Sequence, residues 1–320
     1  MSKATKVWLI VAASLILAGC LIFAGGMAMV KWSWGGVITS KYDTAEHTVS
    51  DAFKNITVIT DTADIEFLPS LDGVCKVVCY EQDKLAHAVT VSDETLDIRL
   101  VDTRKWYDHI SISWASSKIT VYLPEAQYAA LAVTGHTGDV DIPESFVFES
   151  IDVKLSTGCA RSHANAGSVN ISTNTGDISL EGVCASLLKL RTTTGDIRLS
   201  SVECEGDVSI TVSTGDTSIR AMKCKNLLSD GSTGEITLSD TVATEKFHIK
   251  RSTGDVEFER CDAPEIYVVT DTGDVEGSLL SDKVFIVKTD TGHVNVPKTI
   301  VGGRCEITTD TGDIDMIVNK

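Results

Sequence analysis

The sequence predicts an all-β chain: a single β-solenoid of stacked coils, each about 19–20 residues long, behind one N-terminal transmembrane helix. Three observations carry that expectation. A Thr-Gly-Asp triplet recurs at nearly constant spacing, apolar and polar residues alternate on both sides of each copy, and residues 7–30 carry no charge.

The triplet, or a close variant, places its Thr at 137, 157, 175, 194, 214, 233, 253, 272, 291 and 311, so the intervals run from 18 to 20. Its flanks repeat too: Leu188 to Leu199 aligns with Val208 to Ile219. Val208, Ile210, Val212 and Ile219 fall on one face and Ser209, Thr211 and Asp216 on the other, which is the period of a half-buried strand and not of a helix. The second triplet position is Gly138, Gly158, Gly176, Gly195, Gly215, Gly234, Gly254, Gly273, Gly292 and Gly312. A sharp corner there calls for positive φ, which glycine adopts without a Cβ penalty. A unit this short buries little by itself, so each coil has to stack on the next at about 4.8 Å.

Residues 7–30 form an uncharged run of 24, longer than the roughly 20 that span a bilayer as a helix. Lys3 and Lys6 precede it; Lys31, Trp32 and Trp34 follow, as a boundary cation and interfacial aromatics would. The basic end is expected in the cytoplasm and the acidic body outside, as a single-pass membrane protein. Leu17-Ala18-Gly19-Cys20 offers a second way to the same side, as a lipoprotein anchored on Cys20, but the apolar run continues past it to Val30.

Charge and composition exclude several classes. With 28 Lys+Arg against 45 Asp+Glu the formal net charge is −17, which argues against nucleic acid as a partner. A hydrophobic fraction of 43% argues against disorder. The expected organisation is a cytoplasmic tail at 1–6, the helix at 7–30, a linker at 31–50, an irregular β capping region at 51–134 and the regular solenoid at 135–320. Within the cap, Ile56 to Phe67 has the same alternation with Ala63 in the glycine position and is expected as an aberrant first coil. Further strands are expected at 76–80, 96–101 and 119–123.

Ile119-Thr-Val-Tyr-Leu-Pro124 followed by the Thr-Gly-Asp-Val series resembles the bacterial "putative adhesin" family, a domain of unknown function often found behind a single transmembrane helix. The resemblance covers about residues 50–320 and implies a β-solenoid at the cell envelope, in some members near envelope-stress systems. It implies no catalytic residues.

The Asp after each glycine forms a ladder: Asp139, Asp177, Asp196, Asp216, Asp255, Asp274 and Asp313, with Glu235 once and with Cys159 and His293 interrupting. Stacked carboxylates repel, which favours a cation, a neighbouring Arg or Lys, or protonation; the simpler reading is that each Asp closes its own turn. Asp271, Asp290 and Asp310 add a second acid beside Asp274 and Asp313, so calcium is the cofactor these five would take. Cys184, Cys204 and Cys224 recur at intervals of 20 and are expected in one column, as buried free thiols in preference to a disulfide. The seven His show no metal-binding spacing. Trp106, Tyr107 and Trp114 are expected to close the solenoid end, with sugar stacking as the alternative.

The expected function is a non-enzymatic surface or scaffold module that binds an envelope or surface partner. The C-terminal coil at Ile314 to Val318 shows no cap and is the expected docking edge. The alternatives are an accessory of envelope-stress signalling and, least favoured because the acids are spread evenly, a carbohydrate-active β-helix enzyme.

Overall fold

The computed structural model describes residues 2–29, 42–104 and 116–319. Lys31, Trp32, Trp34, Trp106, Tyr107 and Trp114 lie outside them. An α-helix, α1 (Lys3–Met29), covers residues 7–29 of the uncharged run and is long and apolar enough to cross a membrane. Its Ser14 hydroxyl donates to the Ile10 carbonyl at 2.8 Å, so the polar group is satisfied within the helix.

The body opens with β1 (Tyr42–Val49), β2 (Asn55–Pro69), β3 (Cys75–Gln82), β4 (Leu85–Ser92), β5 (Thr95–Asp102) and β6 (Ser117–Leu123). The segment expected as a linker therefore contains a strand. Regular rungs follow, each an incoming strand, a Gly-Asp corner and a shorter outgoing strand. The first four are β7 (Gln127–Thr137) with β8 (Val140–Ile142), β9 (Val147–Thr157) with β10 (Ala160–Ser162), β11 (Asn165–Thr175) with β12 (Ile178–Glu181), and β13 (Cys184–Thr194) with β14 (Ile197–Ser200). Next come β15 (Glu203–Cys204) and β16 (Asp207–Thr214) with β17 (Thr217–Arg220), then β18 (Lys223–Thr233) with β19 (Ile236–Ser239). The series closes with β20 (Val242–Thr253) and β21 (Val256–Cys261), β22 (Glu265–Thr272) and β23 (Val275–Leu279), β24 (Lys283–Thr291) and β25 (Val294–Asn295), and β26 (Gly303–Thr311) and β27 (Ile314–Val318).

Rung pairs with rung in parallel, and the corner residues stay in register: Thr157 faces Thr175, Thr175 faces Thr194 and Thr194 faces Thr214. Incoming strands make one sheet and outgoing strands the other, with the core between them. On the incoming side Val169, Leu188, Val208, Leu227, Phe247 and Ile266 stack in one buried column. Ile178, Ile197, Ile236, Val256 and Val275 do so on the outgoing side. Each such side chain contributes about 1.5–3 kcal/mol of burial, which no rung could collect without neighbours above and below.

The outgoing column is broken once, by Thr217. Its hydroxyl accepts from Arg251 Nη2 at 3.2 Å, as does that of Ser229 at 3.1 Å, while Nη1 donates to the Lys250 carbonyl. Arg251 is fully buried, and burial pulls its guanidinium down to about 10. Gly231 leaves its space: a Cβ there would stand 2.6 Å from Nη1.

Both ends depart from chain order. At the first end β2 is an inner rung, because it pairs with β7 on one side and with β5 and β6 on the other. It is therefore not the first coil of the stack. Antiparallel strands close this end, β4 on β5 in one sheet and β1–β3–β6 in the other. At the far end β26 pairs with both β22 and β24, and β27 with both β23 and β25. The last rung in sequence is thus the penultimate rung in space. The expected docking edge, Ile314 to Val318, is covered along its length by β23 and at Ile314 and Asp315 by β25, and the outermost rung is β24 with β25.

Candidate functional site

The corner that repeats along the flank is built from two ladders. In the first, each triplet glycine has φ between 130° and 154°. A Cβ on Gly215 would lie 2.1 Å from the Gly195 carbonyl oxygen of the rung beneath, and the same contact recurs from Gly158 to Gly312. Glycine is thus required twice over, by backbone conformation and by the approach of the next rung. At the end the contacts follow spatial order: Gly312 meets Gly273, and Gly292 meets Gly312.

The second ladder is made by the acids. Asp177 accepts the backbone N–H of Asp196 at 2.9 Å, Asp196 that of Asp216 and Asp216 that of Glu235. Asp139 serves Cys159, Asp255 serves Asp274, Asp274 serves Asp313, and Asp313 serves His293. The carboxylate does not close its own turn; it holds the corner of the following rung. Arg198 relieves part of the repulsion, standing 2.9 Å from Asp177 and 2.6 Å from Asp196. The N–H of Asp196, then Arg198, hold the Asp177 carboxyl below its usual range.

A third set supports the corner from inside. The Thr two places before the triplet Thr donates its hydroxyl to the glycine carbonyl of the adjacent rung, as Thr173 does to Gly158, Thr192 to Gly176 and Thr309 to Gly273. The five acids expected as calcium ligands lie on this flank. Asp271, Asp310 and Asp290 occupy neighbouring rungs in that order, all exposed, and the Asp290 carboxylate is 2.8 Å from Lys288 Nζ. Asp274 and Asp313 are engaged by the backbone N–H groups just described.

The outermost rung offers a different surface. Among the described residues β24 pairs on one side only, to β26, leaving the alternate N–H and C=O groups of its other edge without a strand. Phe285, Val287 and Val296 pack on the end of the core, while Ile286, Val294, Ile300 and Val301 are exposed, Ile300 at 93%. Beneath them Lys283 is buried and reaches Asp262 at 2.5 Å.

The cysteine column differs from expectation. Cys204 follows Ala185 and precedes Cys224, whereas Cys184 faces Glu203 and is exposed. Leu188 faces Val208 at an offset of 20, yet Ala185 faces Cys204 at 19. The rung at 203–214 thus carries one extra residue between Cys204 and Val208, and the constant interval of 20 hides the shift.

One convergence had no sequence signal. Cys79 and Glu81 on β3 and His87 on β4 bring a thiol, a carboxylate oxygen and an imidazole nitrogen within 4.8 Å of one another, all three buried. Glu81 Oε2 accepts the His87 backbone N–H at 2.7 Å and lies 2.9 Å from Nδ1; Thr60 Oγ1 lies 3.0 Å from Nε2. The spacing Cys-x-Glu-x5-His reads as unrelated residues until the β3–β4 turn crosses from one sheet to the other.

Stacked rungs with in-register glycine corners and a shared apolar interior define a β-solenoid. The chain belongs to the Toastrack DUF4097 family, whose model matches residues 53–220 and again 206–320. Among solved structures it is similar to one described as a putative adhesin from Parabacteroides distasonis ATCC 8503. The two are 11% identical with a TM-score of 0.52, over 87% of this chain and 98% of that one. A putative adhesin from Bacteroides fragilis NCTC 9343 is 18% identical with a TM-score of 0.42, over 87% and 98%. A protein described as a putative lipid binding protein from Parabacteroides distasonis ATCC 8503 is 16% identical with a TM-score of 0.41, over 87% and 97%. The likeness to the first of these, at 11% identity, shows the fold alone. No curated protein matches the chain.

Proposed function

We propose that this chain is a non-enzymatic surface module, held at the membrane by α1 with its N-terminus in the cytoplasm and its body outside. Its rigid solenoid presents the β24–β25 rung to an envelope or surface protein. The observation that carries the reading is the outermost rung itself: a parallel strand with one unpaired edge, flanked by exposed Ile286, Val294, Ile300 and Val301. A row of backbone donors and acceptors is matched best by another backbone, so the partner we favour is an extended segment that adds as a further strand. The opposite end is closed by antiparallel strands next to the chain's entry from α1, which leaves the far end as the one to present.

The test is photo-crosslinking in intact cells, with the crosslinker at Ile286 or Val294, and at Leu187 on the exposed flank as the control. Capture of one partner from the end positions and none from Leu187 supports the reading. Equal capture from all three, or capture from Leu187 alone, overturns it.

A further inference from the structure

The interior between the sheets is made of Ile, Val, Leu and Phe, and an acid beside an imidazole is out of place in it. Glu81 and His87 are 7% and 4% exposed and Cys79 is fully buried. They occupy the point where the chain leaves one sheet for the other: β3 belongs to the sheet of β1 and β6, and β4 to that of β5. Residues 79 and 81 alternate on β3, so their side chains share the inward face, and the Asp83–Lys84 turn brings His87 over them.

The hydrogen bonds around a neutral His87 ring have two self-consistent arrangements. In one, Nδ1–H donates to Glu81 and the Thr60 hydroxyl donates to Nε2, giving a closed triad. In the other, Nε2–H donates to Thr60 Oγ1, which fixes the tautomer with Nδ1 unprotonated. The second leaves two acceptors, Nδ1 and Glu81 Oε2, 2.9 Å apart, with the Cys79 sulfur beside them. A proton on Nδ1, which makes an imidazolium–carboxylate pair, or a bound metal cation satisfies that arrangement. It is also the arrangement in which a metal-bound imidazole hands its other N–H to an oxygen acceptor.

The buried cluster brings a thiol, a carboxylate oxygen and an imidazole nitrogen to one point, which is the donor set of a metal centre.

The geometry points to a site for a zinc-class divalent cation formed by Cys79, Glu81 and His87, with a water completing the shell. One sulfur, one carboxylate oxygen and one nitrogen suit zinc, and the sulfur and nitrogen donors disfavour calcium and magnesium. Bonds of about 2.0–2.3 Å place ligand atoms about 3.3–3.8 Å apart, so loading opens the 2.9 Å Nδ1–Oε2 contact slightly and draws the sulfur in by about 1.5 Å at most. The groove lined by Tyr42, Ala45, Glu81, Lys84 and Ala86 reaches the carboxylate from solvent. The bound cation pins β3 to β4 and so locks the two sheets at the closed end. Binding displaces the Cys79 thiol proton to solvent.

The experiment uses the full-length chain in detergent, stripped by a chelator and titrated with Co²⁺. One equivalent is expected to raise a sulfur-to-cobalt charge-transfer band that Zn²⁺ abolishes, and Zn²⁺ alone is expected to raise the melting temperature. Cys79→Ser and His87→Ala should lose the band, whereas Cys224→Ser, at a buried thiol outside the cluster, should keep it. Glu81→Gln should bind Co²⁺ at least about ten-fold more weakly, which keeps the test valid if Cys79→Ser does not fold. Absence of the band from the wild type, or a band that persists unchanged in the His87→Ala and Glu81→Gln variants, overturns the site and leaves the closed triad.

Discussion

The Asp196 carboxylate accepts the backbone N–H of Asp216, one rung further along, at 2.9 Å. The acid that ends one Thr-Gly-Asp triplet is therefore the fastener of the next. Asp196→Ala is expected to lower stability by about 1 kcal/mol, and Asp196→Asn, which keeps an acceptor oxygen, by less than half of that. Urea unfolding of the two variants checks the ranking.

The glycine ladder gives a sharper contrast. Gly215→Ala drives a methyl into the Gly195 carbonyl at 2.1 Å in a backbone with φ of 139°, so a loss of about 4 kcal/mol or more is expected. Gly182→Ala meets nothing within 4 Å at φ of 67° and should cost about 1 kcal/mol for the left-handed backbone alone. Thermal unfolding of both variants compares them directly.

Acid should weaken the ladder through Asp177. Its carboxyl lies below the usual 3.8, because the Asp196 N–H and Arg198 favour the ionised form. A folded-state value below the unfolded one adds stability above the unfolded value and loses it as pH falls through the folded one. The loss thus falls below about pH 4, and Asp177→Asn is expected to show a shallower decline there while being less stable at neutral pH. Chemical denaturation across that range is the measurement.

Thiol reactivity should separate the cysteines. Burial pushes Cys224 and Cys305 up to about 12, whereas Cys184 is exposed. Alkylation of the folded protein at pH 8 is expected to label Cys184 and to reach Cys224 and Cys305 only after unfolding. Peptide mass mapping reads this out.

The corners were legible because stacking imposes one rule at one position: each Gly meets the next rung's backbone, so a Cβ is excluded at every repeat from Gly138 to Gly312. The rung order at the ends was not. Gly273, Gly292 and Gly312 sit in equivalent corners, and nothing local in the sequence says that Gly312 rests on Gly273. Cys184 misled for a related reason, since a constant spacing is blind to an extra residue between Cys204 and Val208. The Cys79–Glu81–His87 cluster was hidden because its members converge only once a turn has carried the chain between sheets. The interstrand use of each Asp was likewise invisible, as a side chain able to bond its own turn is equally able to reach the next.

The reading of the chain as a module that presents its far end rests on which rung is outermost. Native-state hydrogen exchange resolved along the chain tests this most directly. The amides of Arg304–Thr309 on β26, enclosed by β22 and β24, are expected to exchange slowly, and alternate amides of Lys283–Thr291 on the free edge of β24 to exchange fast. Fast exchange across Arg304–Thr309 with uniform protection of Lys283–Thr291 would contradict the rung order and remove the proposed binding edge.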